Sequence, residues 1–293
     1  MKPVVPILMA VTNAARGLVS RYRVPIIIAS ALIFGGGIVL SARSLALDIA
    51  SLDLAYVALL FALVPFSFVY GALNMQVMAR SAGTGLSFGA AFRTASMAQF
   101  AEFLPIPGGA IVRGEALWRS GVAPALAAAH VLVNALLWLA IAAFAGGVVL
   151  DATTPVGLLL ALGGGIAAIA CTAWLVRKAG WPIAAIAFGL RVVGLGFVTF
   201  RLLAAFFALS LSMTLIDTLP FAFAIILGSA SSITPGGLGI SELVAAGIAD
   251  LAATAPAAAF LAVAFNRLVG FAMSGLLTLF FVSTAKLPEP SVG

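Results

Sequence analysis

The chain has 293 residues, of which 63% are hydrophobic and only 8% are charged, with 15 Lys and Arg against 9 Asp and Glu. Soluble domains carry about 25% charged and about 45–50% apolar residues, so this composition excludes a soluble enzyme and predicts an integral membrane protein. The single Cys171 excludes a disulfide scaffold, and we attribute the net charge of +6 to membrane topology signals and not to a nucleic-acid surface.

Apolar segments of the length of a transmembrane helix recur along the chain. The hydrocarbon core of a bilayer needs about 20 apolar residues in helical form. The apolar–polar alternation of a membrane β-strand is missing, so the sequence predicts an all-α polytopic fold. The predicted spans are Pro25 to Ala42, Leu54 to Ala79, Val122 to Leu150, Pro155 to Val176, roughly Thr199 to Leu219, and Ala255 to Ser283.

The two ends of the chain are predicted to lie outside these spans. Residues 1–23 are expected to form a basic interfacial segment, because they lack the small-residue cleavage site of a signal peptide. Residues 286–293 are expected to form a short free tail. We expect a single transmembrane domain over residues 1–293 and no soluble domain.

The distribution of charge predicts the orientation, because cytoplasmic loops are enriched in Lys and Arg. Three arginines precede the first span, which predicts a cytoplasmic N-terminus and, with an even number of crossings, a cytoplasmic C-terminus in a bacterial-type plasma membrane. Acidic residues are expected on the other side, and Arg43 and Arg267 break the basic pattern. The residues expected on or toward the cytoplasmic side are Lys2, Arg16, Arg21, Arg23, Arg80, Arg93, Arg113, Arg119, Arg177, Lys178, Arg191, Arg201 and Lys286, and those expected opposite are Asp48, Asp53, Asp151, Asp217 and Asp250.

Two further apolar segments, 86–119 and 220–249, are each interrupted by a Pro-Gly-Gly sequence, at 107–109 and at 235–237. The proline removes a backbone donor and the glycines disfavour helix, which favours re-entrant hairpins. Proline and glycine are also common in membrane helices, so kinked segments that cross fully, giving eight crossings, remain the alternative.

The two interruptions are 128 positions apart, and the neighbouring spans repeat with a similar offset. Pseudo-repeats 24–150 and 155–285 each contain helix, helix, broken segment and helix. Because each repeat would cross the membrane three times, the second repeat would have the opposite orientation in the membrane to the first. The sequence thus predicts an inverted-topology repeat of about six full spans plus two re-entrant broken helices, eight hydrophobic segments in total, which meet near the membrane midplane.

The broken segments predict an anion site. The first N–H groups of a helix lack internal partners, the helix dipole adds positive charge there, and glycine lets a head group approach the backbone. Charged side chains inside a membrane are costly and are functional candidates by default. The predicted substrate-binding residues are Pro107, Gly108, Gly109, Arg113, Pro235, Gly236, Gly237, Gly239, Glu242, Asn266 and Arg267, with Glu102, Glu115, His130 and Asn134 as secondary candidates.

Each candidate also has a structural interpretation. Arg267 either neutralises a lipid phosphate or forms a structural pair with Glu242, and Glu242 either contacts substrate or stabilises the N-terminus of its own helix. His130 is more often a satisfied hydrogen-bonding residue than a ligand, and no second His is present for a metal site. No G-x-x-x-x-G-K-[ST] motif or other cofactor motif occurs, and the Gly35–Gly37 and Gly163–Gly165 runs are attributed to close helix packing.

Two stretches resemble the signature segments of the lysylphosphatidylglycerol synthase membrane domain family, which includes the flippase half of the multiple peptide resistance factor. They are Leu104-Pro105 to Gly109 to Arg113, and Thr234-Pro235-Gly236-Gly237-Leu238-Gly239-Ile240-Ser241-Glu242, followed by the intramembrane Arg267. The first departs from the family pattern at Ala110, where a Glu is common, and Asn134 stands where the family often has Arg. The resemblance implies a stand-alone flippase domain without the soluble synthase domain.

The expected function is therefore a lipid flippase or translocase that moves a phospholipid, or a polyprenyl- or other lipid-linked anionic head group, between leaflets. The alternatives are a membrane enzyme that modifies a lipid head group and a non-catalytic accessory subunit of a lipid or cell-envelope pathway. An enzyme would need an acid and a base positioned for catalysis, and the candidate residues show no recognisable pairing of this kind. The sequence leaves open a homo-oligomer or a lipid-modifying enzyme as partner, and we expect no cofactor, metal or nucleic acid.

Overall fold

The computed structural model describes residues 24–284 except 26, 48, 103–106, 152 and 232–233. Three predictions fall outside these residues: the interfacial segment 1–23, the tail 286–293, and the Leu104-Pro105 part of the first interruption. Within the described ranges the chain is all-helical and contains no β-strand.

Six helices are long and apolar enough to cross a membrane, as the sequence predicted. Four shorter helices lie between them in two pairs, at the two interrupted segments. Numbered in chain order, the helices are α1 (Ile27–Ser44), α2 (Leu54–Ser81), α3 (Phe88–Ala101), α4 (Gly108–Arg119), α5 (Pro124–Val149), α6 (Pro155–Ala179), α7 (Trp181–Ala208), α8 (Leu219–Ser231), α9 (Ile240–Ile248) and α10 (Pro256–Thr284).

Local sequence signals start several of these helices. The Asp53 carboxylate accepts the backbone N–H of Ala55 at 2.9 Å, and the Thr154 hydroxyl accepts that of Gly157 at 3.0 Å. Each side chain satisfies one of the N–H groups that a helix start leaves without a partner. Pro124 and Pro155 stand at the first position of α5 and α6, where a missing N–H costs nothing.

The fifth predicted span was wrong in its bounds. Instead of a helix over 199–219, α7 begins at Trp181 and ends at Ala208, and the chain leaves helix before α8 begins at Leu219. The predicted span contained Arg201 but not Arg191, whereas α7 contains both arginines. Neither arginine lies in a loop. Neither therefore adds to the excess of Lys and Arg in cytoplasmic loops from which the orientation was predicted.

Large apolar side chains on α6 face outward, with Leu159 and Ile169 each 72% exposed. The opposite face of α6 packs closely on α5, and a Cβ added at Gly164 would lie 2.5 Å from the backbone N of Phe144. A soluble domain rarely exposes such a continuous apolar surface, whereas lipid is its natural solvent. Close packing of small residues is typical of membrane helices, so the predicted packing role is confirmed for Gly164.

Both pairs of short helices are hairpins. The Thr84 hydroxyl, before α3, donates to the Ser120 carbonyl, after α4, at 3.0 Å, while a Cβ at Gly108 would lie 2.1 Å from the Ala101 carbonyl oxygen. The two helices therefore touch at both ends and run antiparallel. In the second hairpin, a Cβ at Gly228 of α8 would lie 2.0 Å from the Ser241 hydroxyl of α9.

The hairpins open toward opposite ends of α2. The start of α2 lies beside the end of α7, because Asp53 N–H donates to the Ala208 carbonyl at 3.0 Å. The connection from α7 to α8 touches the one before α10, where Thr254 Oγ1 lies 3.6 Å from the Met213 sulfur. We call this the Asp53 end, and the end of α2 beside Ser120 the Ser120 end. The first hairpin opens at the Ser120 end and the second at the Asp53 end.

The order of elements occurs twice along the chain. Two long helices, a hairpin of two short helices and a further long helix make up α1 to α5, and the same order makes up α6 to α10. The start of α7 follows the start of α2 by 127 positions, close to the 128 that separate the two Pro-Gly-Gly sequences. The corrected bounds of α7 therefore fit the sequence repeat better than the predicted ones.

Candidate functional site

The closed ends of the two hairpins meet inside the helix bundle. The backbone N–H of Gly236, in the second interruption, donates to the backbone carbonyl of Glu102, at the end of α3, at 2.6 Å. Because the hairpins open at opposite ends of α2, this contact lies between the two ends. The sequence predicted that the interruptions converge, and the contact brings them together.

The second interruption is a tight turn whose backbone angles favour glycine. Residues 235–237 form a single 3-10 turn, with φ of +58° at Gly236 and +74° at Gly237, and Gly239 follows with +82°. Residues that carry a Cβ rarely adopt these angles, whereas glycine adopts them readily. A Cβ at Gly237 would also lie 2.4 Å from the carbonyl carbon of Gly228, so the turn packs directly against α8.

The first interruption has a different local structure. Gly108 and Gly109 are the first two residues of α4 and have helical conformation, so the glycines here begin a helix and do not break one. Both are buried, and a Cβ at Gly109 would lie 2.7 Å from the Glu102 side chain. Glycine at these positions therefore allows close approach between α3 and α4.

Arg267 lies at mid-height of the bundle, as the twelfth residue of α10, with 6% of its surface exposed. Its Nη1 donates to the Gly237 carbonyl at 3.0 Å and to the Ser241 hydroxyl, its Nε lies 3.6 Å from Glu242 Oε1, and its guanidinium covers the Phe271 ring at 5.3 Å. The structural pair with Glu242, one of the two sequence interpretations, is therefore present.

Glu242 is fully buried, and its Oε2 accepts the backbone N–H of Gly239 at 2.7 Å. The carboxylate thus occupies the N-terminus of α9, where the sequence analysis expected an anionic head group. A buried carboxylate requires both a hydrogen bond and a nearby cation, and Gly239 and Arg267 supply them. Of the two sequence interpretations of Glu242, the stabilisation of its own helix N-terminus is therefore present.

A second Glu–Arg pair lies at the first interruption. Arg113 of α4 donates to Glu102 at 2.9 Å, with both side chains 36% exposed. Glu102 also interacts electrostatically with Arg267. The first hairpin therefore places a carboxylate and a guanidinium close to the point where the two interruptions touch, and the second hairpin places there a carboxylate that pairs with Arg267 of α10.

The secondary candidates divide between this region and the surface. Glu115 pairs with Arg119 at 2.6 Å on the exposed face of α4, as a solvated pair. His130 is buried, and its two ring nitrogens each lie 2.9 Å from a backbone carbonyl oxygen, that of Leu126 and that of Ser81. A ring N–H of His130 donates to one of these carbonyls, so His130 makes a structural hydrogen bond, the role that is more frequent for a lone His.

The two predicted asparagines contact the arginines of α7, which the sequence analysis had counted on or toward the cytoplasmic side. Arg191 Nη2 lies 3.4 Å from Asn134 Oδ1, and Arg201 Nη2 lies 3.4 Å from the Asn266 carbonyl. Arg201 also donates to the Ser67 hydroxyl at 3.1 Å. The 128-residue offset was the signal that could have placed Arg191 in the same helix as Arg201.

The inside of the bundle carries excess positive charge. Glu102 and Glu242 are balanced by Arg113 and Arg267, but within the described residues no carboxylate lies at salt-bridge distance from Arg191 or Arg201. The same residues contain no group of three His, Cys, Asp or Glu that could hold a metal. An uncompensated buried cation is unfavourable, and an anionic ligand would relieve it.

Comparison of the chain with models of protein families, with curated proteins and with solved structures finds no match.

Proposed function

We propose that this chain is a lipid translocase that moves a phospholipid or lipid-linked anionic head group between membrane leaflets, of the kind found in the lysylphosphatidylglycerol synthase membrane domain family. The observation that carries the proposal is the 2.6 Å contact between Gly236 and Glu102, which joins two oppositely oriented hairpins. The family assignment rests on the two signature stretches in the sequence.

The proposed arrangement in the membrane has six crossing helices and two re-entrant hairpins related by an inverted-topology repeat. It is supported by the opposite openings of the hairpins and by the repeated element order. Basic residues Arg80, Arg119 and Arg177 cluster toward the Ser120 end, and Asp53 and Asp217 lie at the other, which favours a cytoplasmic Ser120 end. In a bacterial-type plasma membrane this places both chain termini in the cytoplasm.

The proposed mechanism moves the two hairpins against each other. The contact region lies between leaflets. Its two Glu–Arg pairs are neutral at rest, and Arg113 and Arg267 attract a phosphate once the pairs open, while the acyl chains stay in lipid. Arg267 reaches a phosphate only by releasing Glu242, so the pair acts as a latch between hairpin and α10. Rocking of one repeat then exposes the site to each leaflet in turn.

Leaflet exchange in liposomes tests the function. Purified protein is reconstituted with a head-group-labelled anionic phospholipid, and loss of label signal to a membrane-impermeant quencher reports exchange. We expect exchange above protein-free vesicles for wild type, strong reduction for Arg267→Ala and Glu242→Gln, and wild-type rates for Arg119→Gln, a matched change of an exposed ion pair.

The alternatives predict other results in the same vesicles. An enzyme would form a chemically altered lipid, detectable by mass spectrometry, and an accessory subunit would give no exchange with any variant. No exchange of anionic or polyprenyl-linked lipid by wild type would contradict the proposal.

A further inference from the structure

We propose that Arg191, Tyr70 and Trp138 form a phosphate-binding site at mid-height of the bundle, separate from the Glu–Arg pairs at the hairpin contact. The three side chains come from α7, α2 and α5. The ligand class is a phosphate group with free anionic oxygens. That this phosphate belongs to a phospholipid rests on the proposed function, whereas the site itself does not.

The three residues lie together. The Arg191 guanidinium is 5.7 Å from the centroid of the Trp138 ring, and the Tyr70 and Trp138 rings are 6.3 Å apart. The Tyr70 hydroxyl interacts with Arg191 and rests on the next turn of α7, where a Cβ at Gly194 would lie 2.0 Å from it. Gly194 therefore makes the space that the hydroxyl occupies beside Arg191.

The cluster is rich in donors that have no acceptor. Arg191 Nη2 lies 3.4 Å from Asn134 Oδ1, but Arg191 Nε and Trp138 Nε1 are buried without a hydrogen-bond partner, and the Tyr70 hydroxyl beside Arg191 has no acceptor for its own O–H. Guanidinium and indole N–H groups can only donate, so neighbouring copies of them cannot satisfy one another. Buried polar groups normally find partners, and a ligand with several acceptor oxygens would satisfy this set.

The local charge also favours an anion. Arg191 is 9% exposed, and no carboxylate among the described residues pairs with it. A buried guanidinium with no carboxylate beside it is an unfavourable charge, and a bound anion would compensate it.

The depth of the cluster agrees with a lipid head group in transit. Tyr70 is eleven residues from Ser81, the last residue of α2, and Arg191 is ten residues from Trp181, the first of α7. At 1.5 Å per residue both lie about 15 Å from the Ser120 end, near the middle of a core of about 30 Å. Arg201 is ten positions further along α7. Both of its Nη groups have protein partners, the Ser67 hydroxyl and the Asn266 carbonyl, whereas Arg191 Nη2 has Asn134 Oδ1 at 3.4 Å.

Trp138 fluorescence measures binding directly. Trp118, Trp174 and Trp181, the other tryptophans, are changed to Phe, and the protein is studied in phosphate-free maltoside detergent and in nanodiscs of neutral galactolipid. The probes are inorganic phosphate in detergent and increasing phosphatidylglycerol in the nanodiscs. We expect saturable changes in emission and a higher Tm with phosphatidylglycerol, and a response to free phosphate alone would identify a soluble phosphate as the ligand.

The variants separate binding from folding. Arg191→Gln is expected to weaken binding by about tenfold or more, the loss of a charge-assisted hydrogen bond, and Tyr70→Phe by roughly threefold. Arg201→Gln, the same change at the other arginine of α7, keeps binding within about twofold on the same scale. Without ligand, Arg191→Gln has a Tm equal to or above wild type because it removes an uncompensated charge, whereas a structural role for Arg191 would lower the Tm.

The proposal is overturned if neither probe binds wild type, if Arg191→Gln binds as wild type does, or if Arg201→Gln loses binding equally. Binding that depends on Arg191 without leaflet exchange would retain the site and remove the translocase function. Leaflet exchange that is independent of Arg191 would support the proposed translocase function and contradict the proposed phosphate site.

Discussion

Individual residues show how the protein accommodates ionised groups away from water. Glu242 has one oxygen on the Gly239 N–H and the other facing Arg267, so each charge compensates the other. Removing one partner of a buried pair leaves an unpaired charge, which costs about 3–5 kcal/mol. An exposed pair such as Arg119–Glu115 is worth about 0–1 kcal/mol because water solvates both groups.

We therefore predict that Glu242→Gln lowers the free energy of unfolding by about 3–5 kcal/mol, while Glu115→Gln changes it by less than about 1 kcal/mol. The double variant Glu242→Gln/Arg267→Met recovers much of the loss, since it removes the unpaired guanidinium as well. Thermal unfolding in detergent provides the measurement. Additive losses in the double variant would show that the two side chains do not compensate each other.

The turn at the second interruption gives a second test at the scale of single residues. Gly83 and Gly237 both have positive φ, but a Cβ meets nothing within 4 Å at Gly83 and would lie 2.4 Å from the Gly228 backbone at Gly237. We expect Gly83→Ala to cost about 1–2 kcal/mol for its conformation alone. Gly237→Ala should cost about 1–3 kcal/mol more for overpacking. Equal losses of Tm would contradict the close approach of the turn to α8.

At the scale of elements, helix pairs depend on where small residues face. Gly163 and Gly164 are adjacent in α6, yet a Cβ at Gly163 meets nothing within 4 Å, whereas one at Gly164 would lie 2.5 Å from the Phe144 backbone. The glycine run therefore contains one packing position next to one open position. This difference follows from whether the Cα–Cβ direction at each position points toward α5, which sequence alone does not reveal.

We predict that Gly164→Ala destabilises the protein by about 1–3 kcal/mol through overpacking of α5 on α6. Gly163→Ala should be neutral or stabilise by up to about 1 kcal/mol, because alanine favours helix. Reaction of the half-buried Cys171 with a thiol-reactive dye during heating reports unfolding of α6. Loss of stability in Gly163→Ala, with none in Gly164→Ala, would reverse the assignment of the packing face.

For the whole molecule, the proposed re-entrant arrangement predicts on which side of the membrane the two flanks of each hairpin lie. Gly85 and Arg119 flank the first hairpin at the Ser120 end, and Ser212 and Asp250 flank the second at the Asp53 end. In a Cys171→Ser background, cysteines at the first two positions are expected to react with an impermeant reagent from the cytoplasm. Cysteines at the other two are expected to react from outside.

Each outcome of the labelling distinguishes an arrangement. If Gly85→Cys and Arg119→Cys react from different sides, the interrupted segment crosses the membrane fully. If Ser212→Cys reacts from the same side as Gly85→Cys, the hairpins do not enter from opposite faces, and the inverted repeat is excluded. An exposed position that fails to react from either side can be replaced by its neighbour in the same connection.

The sequence by itself determined the number of long apolar helices and the place of both interruptions. Length and apolar composition are local properties, and a bilayer tolerates few alternatives to a helix of about 20 residues. The same local reasoning failed at α7, because Arg191 and Arg201 look prohibitive until their partners on other helices are known. The repeat offset contained the missing information, since it compares distant parts of the chain.

Only the tertiary structure decided which charges neutralise each other. Glu242 and Arg267 are 25 positions apart, and Arg191 lies 57 positions from Asn134, so neither pairing follows from spacing on one helix. The structure also gathered Tyr70, Trp138 and Arg191 from three helices. These are packing outcomes, set by how helix faces meet, and no local pattern of residues encodes them.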